Sequence, residues 1–239
     1  MIVTHYTSRH AAVQRPLRLA VVADLHNGAY APVLRALEAE APDLVLLPGD
    51  FFDAPGRYTR ALSFLSACAA LYPTFCSPGN HDTWMNGSEL AETVSNTGAV
   101  LLCDNCVFTH GVWLGGLCTG YRHGVHQSRL GPTPPPDRAF LSAFARAKGC
   151  RILLCHHPEY YEPYLRELPI PYIVAGHAHG GQWRPFGRGL FAPGQGLFPR
   201  YTAGFYDGRM LVSRGLCTSR LPRLWNPTEL AVLDIWPRA

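Results

Sequence analysis

The sequence predicts an α/β fold whose front half forms a largely parallel sheet. The prediction depends on short apolar runs that alternate with amphipathic helices, and on a meander of short strands that follows them. The chain of 239 residues suffices for one large domain with its own core, and it is short for two. Because the sequence contains no internal repeat and no linker, we expect one domain over residues 1–239.

The front half alternates buried strands with helices. The first helix has a proline in its first turn, and Val33, Leu34 and Leu37 share one of its faces. The third helix ends before Gly98, which favours a stop there. The predicted elements are strand Leu17–Ala23, helix Pro32–Glu40, strand Leu44–Leu47, helix Tyr58–Leu71, strand Thr74–Ser77 and helix Ser88–Asn96.

The back half begins with three short paired strands and a long loop, Thr119–Asp137. Its stiff Pro132–Pro136 stretch is either a docking segment or a surface connection. A hairpin is expected at Asp207–Gly208, a favoured tight-turn pair. The predicted elements are strands Val100–Cys103, Val107–Thr109 and Val112–Leu117, helix Ala139–Ala147, strands Ile152–Cys155 and Tyr172–Ala175, and a last strand Leu230–Ile235.

Composition limits the class of protein. A hydrophobic fraction of 47% and a charged fraction of 16% indicate a globular chain. The net charge of +4 permits an anionic substrate, and the lack of a dense Lys/Arg run argues against nucleic acid as a partner. We expect no membrane-spanning segment, because no apolar run reaches about 18 residues. Contact with a membrane surface stays open.

The cysteines, together with the N-terminal residues, predict the cellular compartment of the protein. Residues Met1–Ala12 lack the apolar core of a signal peptide, so the eight cysteines are expected to be reduced thiols in a cytoplasm. Cys103 and Cys106 form a Cys-x-x-Cys pair. We interpret it as a turn between two strands with Asp104-Asn105 at its tip, and a redox or zinc role is the alternative.

Metal-binding side chains follow five of the predicted strands. The carboxyl ends of parallel strands meet at one edge of an α/β sheet, where ligands bind. Metal-binding side chains from five separate strand ends at one edge of the sheet indicate a metal site. The side chains are Asp24, His26, Asp50, Asn80, His156, His177 and His179.

Spacing predicts how these side chains share ions. Residues i and i+2 of an extended segment point the same way, so Asp24 and His26 are expected to bind one ion together. His177 and His179 are expected to enter one cavity and reach two ions. Mixed carboxylate, amide and imidazole donors suit Mn, Fe or Zn, and the lack of cysteine in these motifs excludes a structural zinc cage.

The order of these motifs resembles that of the calcineurin-like metallophosphoesterases. The sequence carries Asp-x-His, Gly-Asp, Gly-Asn-His-Asp, His and Gly-His-x-His in that order. The resemblance implies an α/β fold of the four-layer αββα type, with mixed sheets and a dimetal site at strand carboxyl ends. It implies two divalent ions, Mn foremost with Fe or Zn as alternatives. One ion would bind Asp24, His26, Asp50 and His179, and the other Asp50, Asn80, His156 and His177.

The resemblance also implies a hydrolytic mechanism. A water shared by the two ions becomes a bridging hydroxide and attacks phosphorus. His81 lies over the substrate and stabilises the developing charge or protonates the leaving group, and Asp82 orients its imidazole. The other readings are a phosphomonoesterase or protein phosphatase, and a non-enzymatic scaffold, which typically lacks some of these ligands.

A narrower resemblance involves the segments after His179, which look like those of the bacterial YaeI/YkuE-like phosphodiesterases. That branch implies a diester or pyrophosphate substrate, either a small molecule or a lipid-linked compound such as UDP-2,3-diacylglucosamine. The matching residues are Gly180-Gly181-Gln182, Tyr201, Gly204, Ser213-Arg214-Gly215 and Ser219-Arg220-Leu221-Pro222.

Several nearby residues keep two interpretations. His157 is either a supporting or substrate-contacting residue or simply exposed. Asp53 and Arg57 either touch substrate or belong to a polar loop. Trp183, Phe186, Phe191 and Phe198 either form an apolar wall for a lipid or base, or pack in a core or hairpin.

Overall fold

Two six-stranded sheets form the frame of the molecule in a computed structural model that describes residues 1–121, 132–217 and 222–238. The strands are β1 Ile2–His10, β2 Leu17–Val21, β3 Leu44–Pro48, β4 Thr74–Ser77, β5 Val100–Leu101, β6 Asn105–Thr109, β7 Val112–Gly116, β8 Cys150–Leu154, β9 Tyr172–Ala175, β10 Phe191–Ala192, β11 Gly196–Leu197, β12 Gly204–Tyr206, β13 Met210–Val212 and β14 Glu229–Pro237. The α-helices are α1 Ala31–Glu40, α2 Thr59–Leu71, α3 Gly87–Ser95 and α4 Arg138–Ala145.

The first sheet has the order β1-β14-β2-β3-β4-β5. Strands β2 to β5 are parallel, as expected of consecutive βαβ units. The final strand β14 pairs antiparallel with β2 and parallel with β1. The second sheet has the order β12-β13-β9-β8-β7-β6, with antiparallel pairs at both edges and parallel pairs at its centre.

Strand alternation produces the layers. Leu19 and Val21 of β2 face the second sheet, where they join a core that includes Ile152 of β8. Ala20, between them, faces the opposite way and packs under α1 to α3. A third cluster joins the outer face of the second sheet to Phe144 of α4. These three apolar layers confirm the predicted four-layer αββα sandwich with mixed sheets.

Strand β1 was not expected from the sequence. Its alternating side chains are exposed or half-buried and none is fully buried, because β1 lies at the edge of the first sheet. A strand of this kind lacks the continuous apolar run that marks β2 and β3. Its position depends on β14: the two strands pair in parallel, residue by residue, from Ile2 opposite Glu229 to His10 opposite Pro237.

The predicted meander at residues 100–117 is wrong in its pairing. Val100 and Leu101 extend the first sheet beside β4, whereas β6 and β7 form a hairpin in the second sheet. The chain therefore crosses between the sheets at the Cys103-x-x-Cys106 pair. Cys103 is bonded to Cys118, which corrects both the expectation of eight free thiols and the alternative of a redox or zinc role for Cys103 with Cys106.

Candidate metal centre

Seven side chains of metal-binding type meet where the two sheets present the carboxyl ends of their parallel strands. Asp24 and His26 follow β2, Asp50 follows β3, and Asn80 follows β4 in the first sheet. His156 follows β8, and His177 and His179 follow β9 in the second. Because the sheets pack face to face, the two sets of strand ends lie side by side.

Asp50 contacts side chains from both sheets. Its Oδ2 atom lies 3.4 Å from Nε2 of His26 and 3.2 Å from Nε2 of His156. The same His156 nitrogen lies 3.0 Å from Oδ1 of Asn80. Asp50 is therefore the carboxylate that joins the two halves of the centre.

The ligand atoms fall into two groups on either side of Asp50. In one group, Asp24, His26 and His179 bring their donor atoms within 4.8 Å of one another. In the other, the donor atoms of Asp50, His156 and His177 meet the same limit. His177 and His179 thus belong to different groups although they are two residues apart.

The backbone of these residues is not extended. Asp24, His26 and Asp50 have φ values of 52°, 44° and 54°, and His177 and His179 have 62° and 47°. Strand alternation was expected to direct Asp24 and His26 to the same side. That reason is wrong, because left-handed turns set the direction of both side chains. Non-glycine residues rarely adopt this region, and such strain clusters at functional sites.

Glycines leave room for this arrangement at two close approaches. Gly49 has φ of 85°, and a Cβ atom there would lie 2.5 Å from Nδ1 of His156. A Cβ atom on Gly79 would overlap the Asp50 carboxylate. A larger residue at either position would displace His156 or Asp50, so the close packing requires glycine.

The charges and unpaired atoms of the centre fit divalent cations. Burial alone would raise the pKa of Asp50, but the adjacent His156 and His81 outweigh it and hold that pKa well below its usual range. Burial lowers the pKa of His177 and His179, which favours neutral imidazoles. Oδ2 of Asp24 and Nε2 of His26 are buried without a hydrogen-bond partner among the described residues. Such atoms are suited to coordinate metal.

His81 and Asp82 have separate contacts. Nδ1 of His81 lies 2.9 Å from the carbonyl oxygen of Asp53, and the ring packs edge-on against His26. The Asp82 carboxylate instead accepts hydrogen bonds from the backbone amides of Asp50, Phe52 and Gly79, at 2.8–2.9 Å. The expectation that Asp82 orients the His81 ring is therefore corrected: both of its oxygens hold the loop backbone. Burial, with Asp50 nearby, raises the pKa of Asp82 to about 7.

Glu159 is a site residue that the sequence did not single out. Its Oε1 atom lies 3.2 Å from Nδ1 of His157 and 3.7 Å from Nε2 of His177, and it accepts a hydrogen bond from Thr133. The one available signal was its position three residues after His156. His157 is buried, and its Nε2 lies 2.9 Å from the Thr119 hydroxyl, so it supports the centre and is not exposed.

The other ambiguous residues are also placed. Asp53 lies beside the centre, with Oδ1 3.7 Å from Nδ1 of His26, and it pairs with Arg57 at 3.1 Å. Phe186 and Phe198 are exposed, so they pack in neither a core nor a hairpin. Of the segments that resemble the narrower branch, Ser219-Arg220-Leu221 lies outside the described residues.

Comparison with known proteins defines the class. The family model described as calcineurin-like phosphoesterase matches residues 17–181, more than half of the chain. The chain therefore belongs to the calcineurin-like phosphoesterase family, and it is a phosphoester hydrolase that uses divalent metal ions.

Among its relatives, the chain is 28% identical to the phosphodiesterase YaeI of Escherichia coli, covering 92% of this chain and 82% of that protein. It is 26% identical to the uncharacterized metallophosphoesterase YkuE of Bacillus subtilis, covering 85% of this chain and 71% of YkuE. A metallophosphoesterase of Helicobacter pylori is 24% identical over 95% of this chain, which spans only 61% of that protein's length.

Solved structures support the same fold. A putative 5′-nucleotidase from Staphylococcus aureus superposes with a TM-score of 0.52 over 94% of this chain and 55% of that chain, at 14% identity. At that identity the likeness concerns the fold alone. Among the described residues, no helix combines the length and the hydrophobicity that a membrane-spanning helix requires.

Proposed function

We propose that the protein hydrolyses a phosphodiester or a pyrophosphate at a centre of two divalent metal ions. The observation that carries the proposal is the contact of one carboxylate, Asp50, with histidines from both sheets. Both contacts are made by Oδ2, while Oδ1 accepts a hydrogen bond from the backbone amide of His81 at 2.7 Å. The relative named as a phosphodiesterase, YaeI, supports a diester in preference to a monoester.

We assign the seven side chains to two ions. Asp24, His26 and His179 would hold one, Asn80, His156 and His177 the other, and Asp50 both. When bound, two such ions supply Lewis acidity, which lowers the pKa of a coordinated water and offsets the charge of the phosphoryl group. Mn is the ion that we propose first, with Fe and Zn as alternatives, because the donors mix oxygen and nitrogen.

His81 is proposed as the residue that acts on the leaving group. Its Nδ1 is directed to the Asp53 carbonyl oxygen, which acts as the acceptor when Nδ1 carries the proton. That contact orients the ring and leaves Nε2 to face substrate. A protonated Nε2 donates its proton to the departing oxygen, and a neutral ring with its proton on Nδ1 supplies none.

The test is a turnover panel on protein loaded with Mn, using an aryl diester, the matched aryl monoester, cyclic nucleotides and a UDP-linked diacyl sugar. We expect the diester to be cleaved faster than the monoester. Faster cleavage of the monoester would contradict the diester assignment and favour a phosphomonoesterase. Asp50→Asn serves as the matched control for contaminating hydrolases, because it should lose turnover on every substrate.

The lipid-linked substrate is a finer proposal within the same panel. Turnover of the UDP-linked sugar that exceeds turnover of an aryl diester would support it. For the location we propose the cytoplasm; the six cysteines that carry thiols support it, whereas the Cys103–Cys118 bond is of the kind found in oxidising compartments. Cell fractionation with an antibody against the protein tests this assignment.

A further inference from the structure

A set of exposed apolar side chains lies next to the metal centre in sequence. Phe186 is fully exposed, and Phe198, Trp225 and Leu197 are 79%, 74% and 69% exposed. Contiguous exposed apolar surface of this kind marks an interaction site in many proteins. We call these residues, together with the less exposed pair at its base, the aromatic face: Trp183, Phe186, Leu197, Phe198, Leu224 and Trp225.

The aromatic face is one continuous surface. The amide of Arg184 donates to the carbonyl of Leu224 at 3.0 Å, which joins the 183–200 segment to the 222–226 segment. A cavity of about 580 Å³ has Phe186 and Trp225 in its walls. A second cavity of about 420 Å³ includes Phe198 and shares Arg184 with the first.

Three of the exposed aromatic residues have a strained, left-handed backbone. Phe186, Phe198 and Trp225 have φ values of 53°, 54° and 52°. Bulky side chains are genuine outliers in this left-handed region, where glycine and asparagine are the favoured residues. Packing does not explain the aromatic rings there, because all three are exposed. A functional contact does explain them.

Basic side chains predominate around the aromatic face, and the acidic Glu162 pairs with one of them, Arg200. Arg188 and Arg200 are exposed and line the cavity beside Phe198. Arg214 lines the cavity beside Phe186. The partner of this surface therefore carries negative charge next to an apolar phase.

We propose that the aromatic face docks the protein on the surface of a bilayer that contains anionic lipid. Aromatic rings are favoured at the boundary between water and lipid, and basic side chains there attract lipid phosphates. Separate protruding rings surrounded by arginines match that boundary, whereas a second protein chain favours a closely packed apolar centre.

The docking surface is coupled to the metal centre. Nδ2 of Asn226, next to Trp225, donates to the carbonyl of His179 at 2.8 Å and to that of Gln182 at 3.1 Å. Binding at the aromatic face therefore holds the strand end that carries His177 and His179 near the bilayer. The proposal does not depend on the substrate, because docking is measured without turnover.

The experiment measures sedimentation of the purified protein with phosphatidylcholine vesicles that contain or lack phosphatidylglycerol. The test variant is Phe186→Asn/Trp225→Asn, because asparagine suits the left-handed backbone and should keep the fold. Its matched control is Phe108→Asn, an exposed aromatic residue on β6 at the far edge of the second sheet. Arg188→Gln/Arg200→Gln tests the charge, with Arg35→Gln on α1 as its control.

We expect wild-type protein to sediment with the anionic vesicles only. The aromatic double variant should bind about a hundredfold more weakly, since each of the two large apolar side chains contributes about tenfold or more. The arginine double variant should bind more weakly by about fivefold per charge. Both controls should bind like wild type, and thermal unfolding should show that the Asn variants keep the fold.

Three results would overturn the proposal. They are no binding of wild type to anionic vesicles, equal loss in Phe108→Asn, and a self-associated wild type whose association is removed by Phe186→Asn/Trp225→Asn. The last result, from sedimentation velocity without lipid, would assign the aromatic face to a second copy of the chain. None of these results bears on hydrolysis, so failure here leaves the proposed function intact.

Discussion

Nδ1 of His81 lies 2.9 Å from the backbone carbonyl oxygen of Asp53. A carbonyl oxygen only accepts hydrogen bonds, so this contact favours the ring form that carries a proton on Nδ1. The neighbouring Asp82, which is nearer in sequence, has both oxygens engaged by backbone amides. The loop backbone therefore orients the His81 ring.

His81→Ala should keep both metal ions and lose turnover by roughly 10²–10⁴-fold, as expected for a positioned general acid. The loss should be smaller for a nitrophenyl leaving group, which needs little protonation. Metal content and turnover are measured on the same samples, and His110→Asn, an exposed turn residue, is the control. Loss of metal in proportion to activity would show that His81 is a ligand.

Asp82→Asn should lower the free energy of unfolding. The carboxylate is fully buried and accepts three backbone amides, and an asparagine side chain has only one acceptor oxygen. Leaving one or two amides unsatisfied costs about 1–3 kcal/mol each. Chemical denaturation of the metal-loaded variant measures the change. An unchanged unfolding midpoint would contradict the role of Asp82 as the organiser of this loop.

Asp50→Asn should weaken both ions, whereas Asn80→Ala should mainly weaken one. Asp50 contacts histidines of both groups, whereas Oδ1 of Asn80 lies beside His156, in one of them. Elemental analysis after dialysis should therefore find less than one ion per chain in the first variant and about one in the second, an estimate from shared ligation. Chelator should abolish wild-type turnover. Full activity of metal-free protein would contradict a metal-dependent mechanism.

Glu159→Gln should lower the metal affinity of the site formed by Asp50, His156 and His177 by about 10–100-fold. Removing a side chain that orients a metal ligand has effects of that size. The Glu159 carboxylate lies within 3.7 Å of His177 and pairs with His157. Glu167→Gln, an exposed acid in the same segment, is the matched control. Isothermal titration with Mn reads out affinity directly. Equal affinities for the two variants would restrict Glu159 to a structural role.

Thiol titration distinguishes the observed disulfide from a fully reduced chain. Denatured protein should show six thiols before reduction and eight after it, because Cys103 and Cys118 are bonded. Cys118→Ala should lower the stability of the oxidised protein by about 3 kcal/mol for a loop of this length. Under reducing conditions the same variant should be close to wild type. Eight thiols in protein isolated under anaerobic conditions would restore the original expectation from the sequence.

The sequence by itself determined most of the elements and the identity of the ligand-type side chains. Buried parallel strands such as β3 read as unbroken apolar runs, and their carboxyl ends place polar residues at one edge. These local signals mark the motifs from Asp24 to His179, and the fold brings their seven ligand-type side chains together.

Tertiary structure decided what depends on contacts between distant segments. The edge strand β1 is specified by its pairing with β14, and the Cys103–Cys118 bond by a crossing between two sheets. Glu159 reaches His177 only because β8 and β9 are neighbours. Left-handed turns at Asp24 and His26 replace the strand alternation that the spacing predicted. The periodicity of a sequence indicates local backbone conformation and burial. It does not indicate which side chains from distant segments will come into contact.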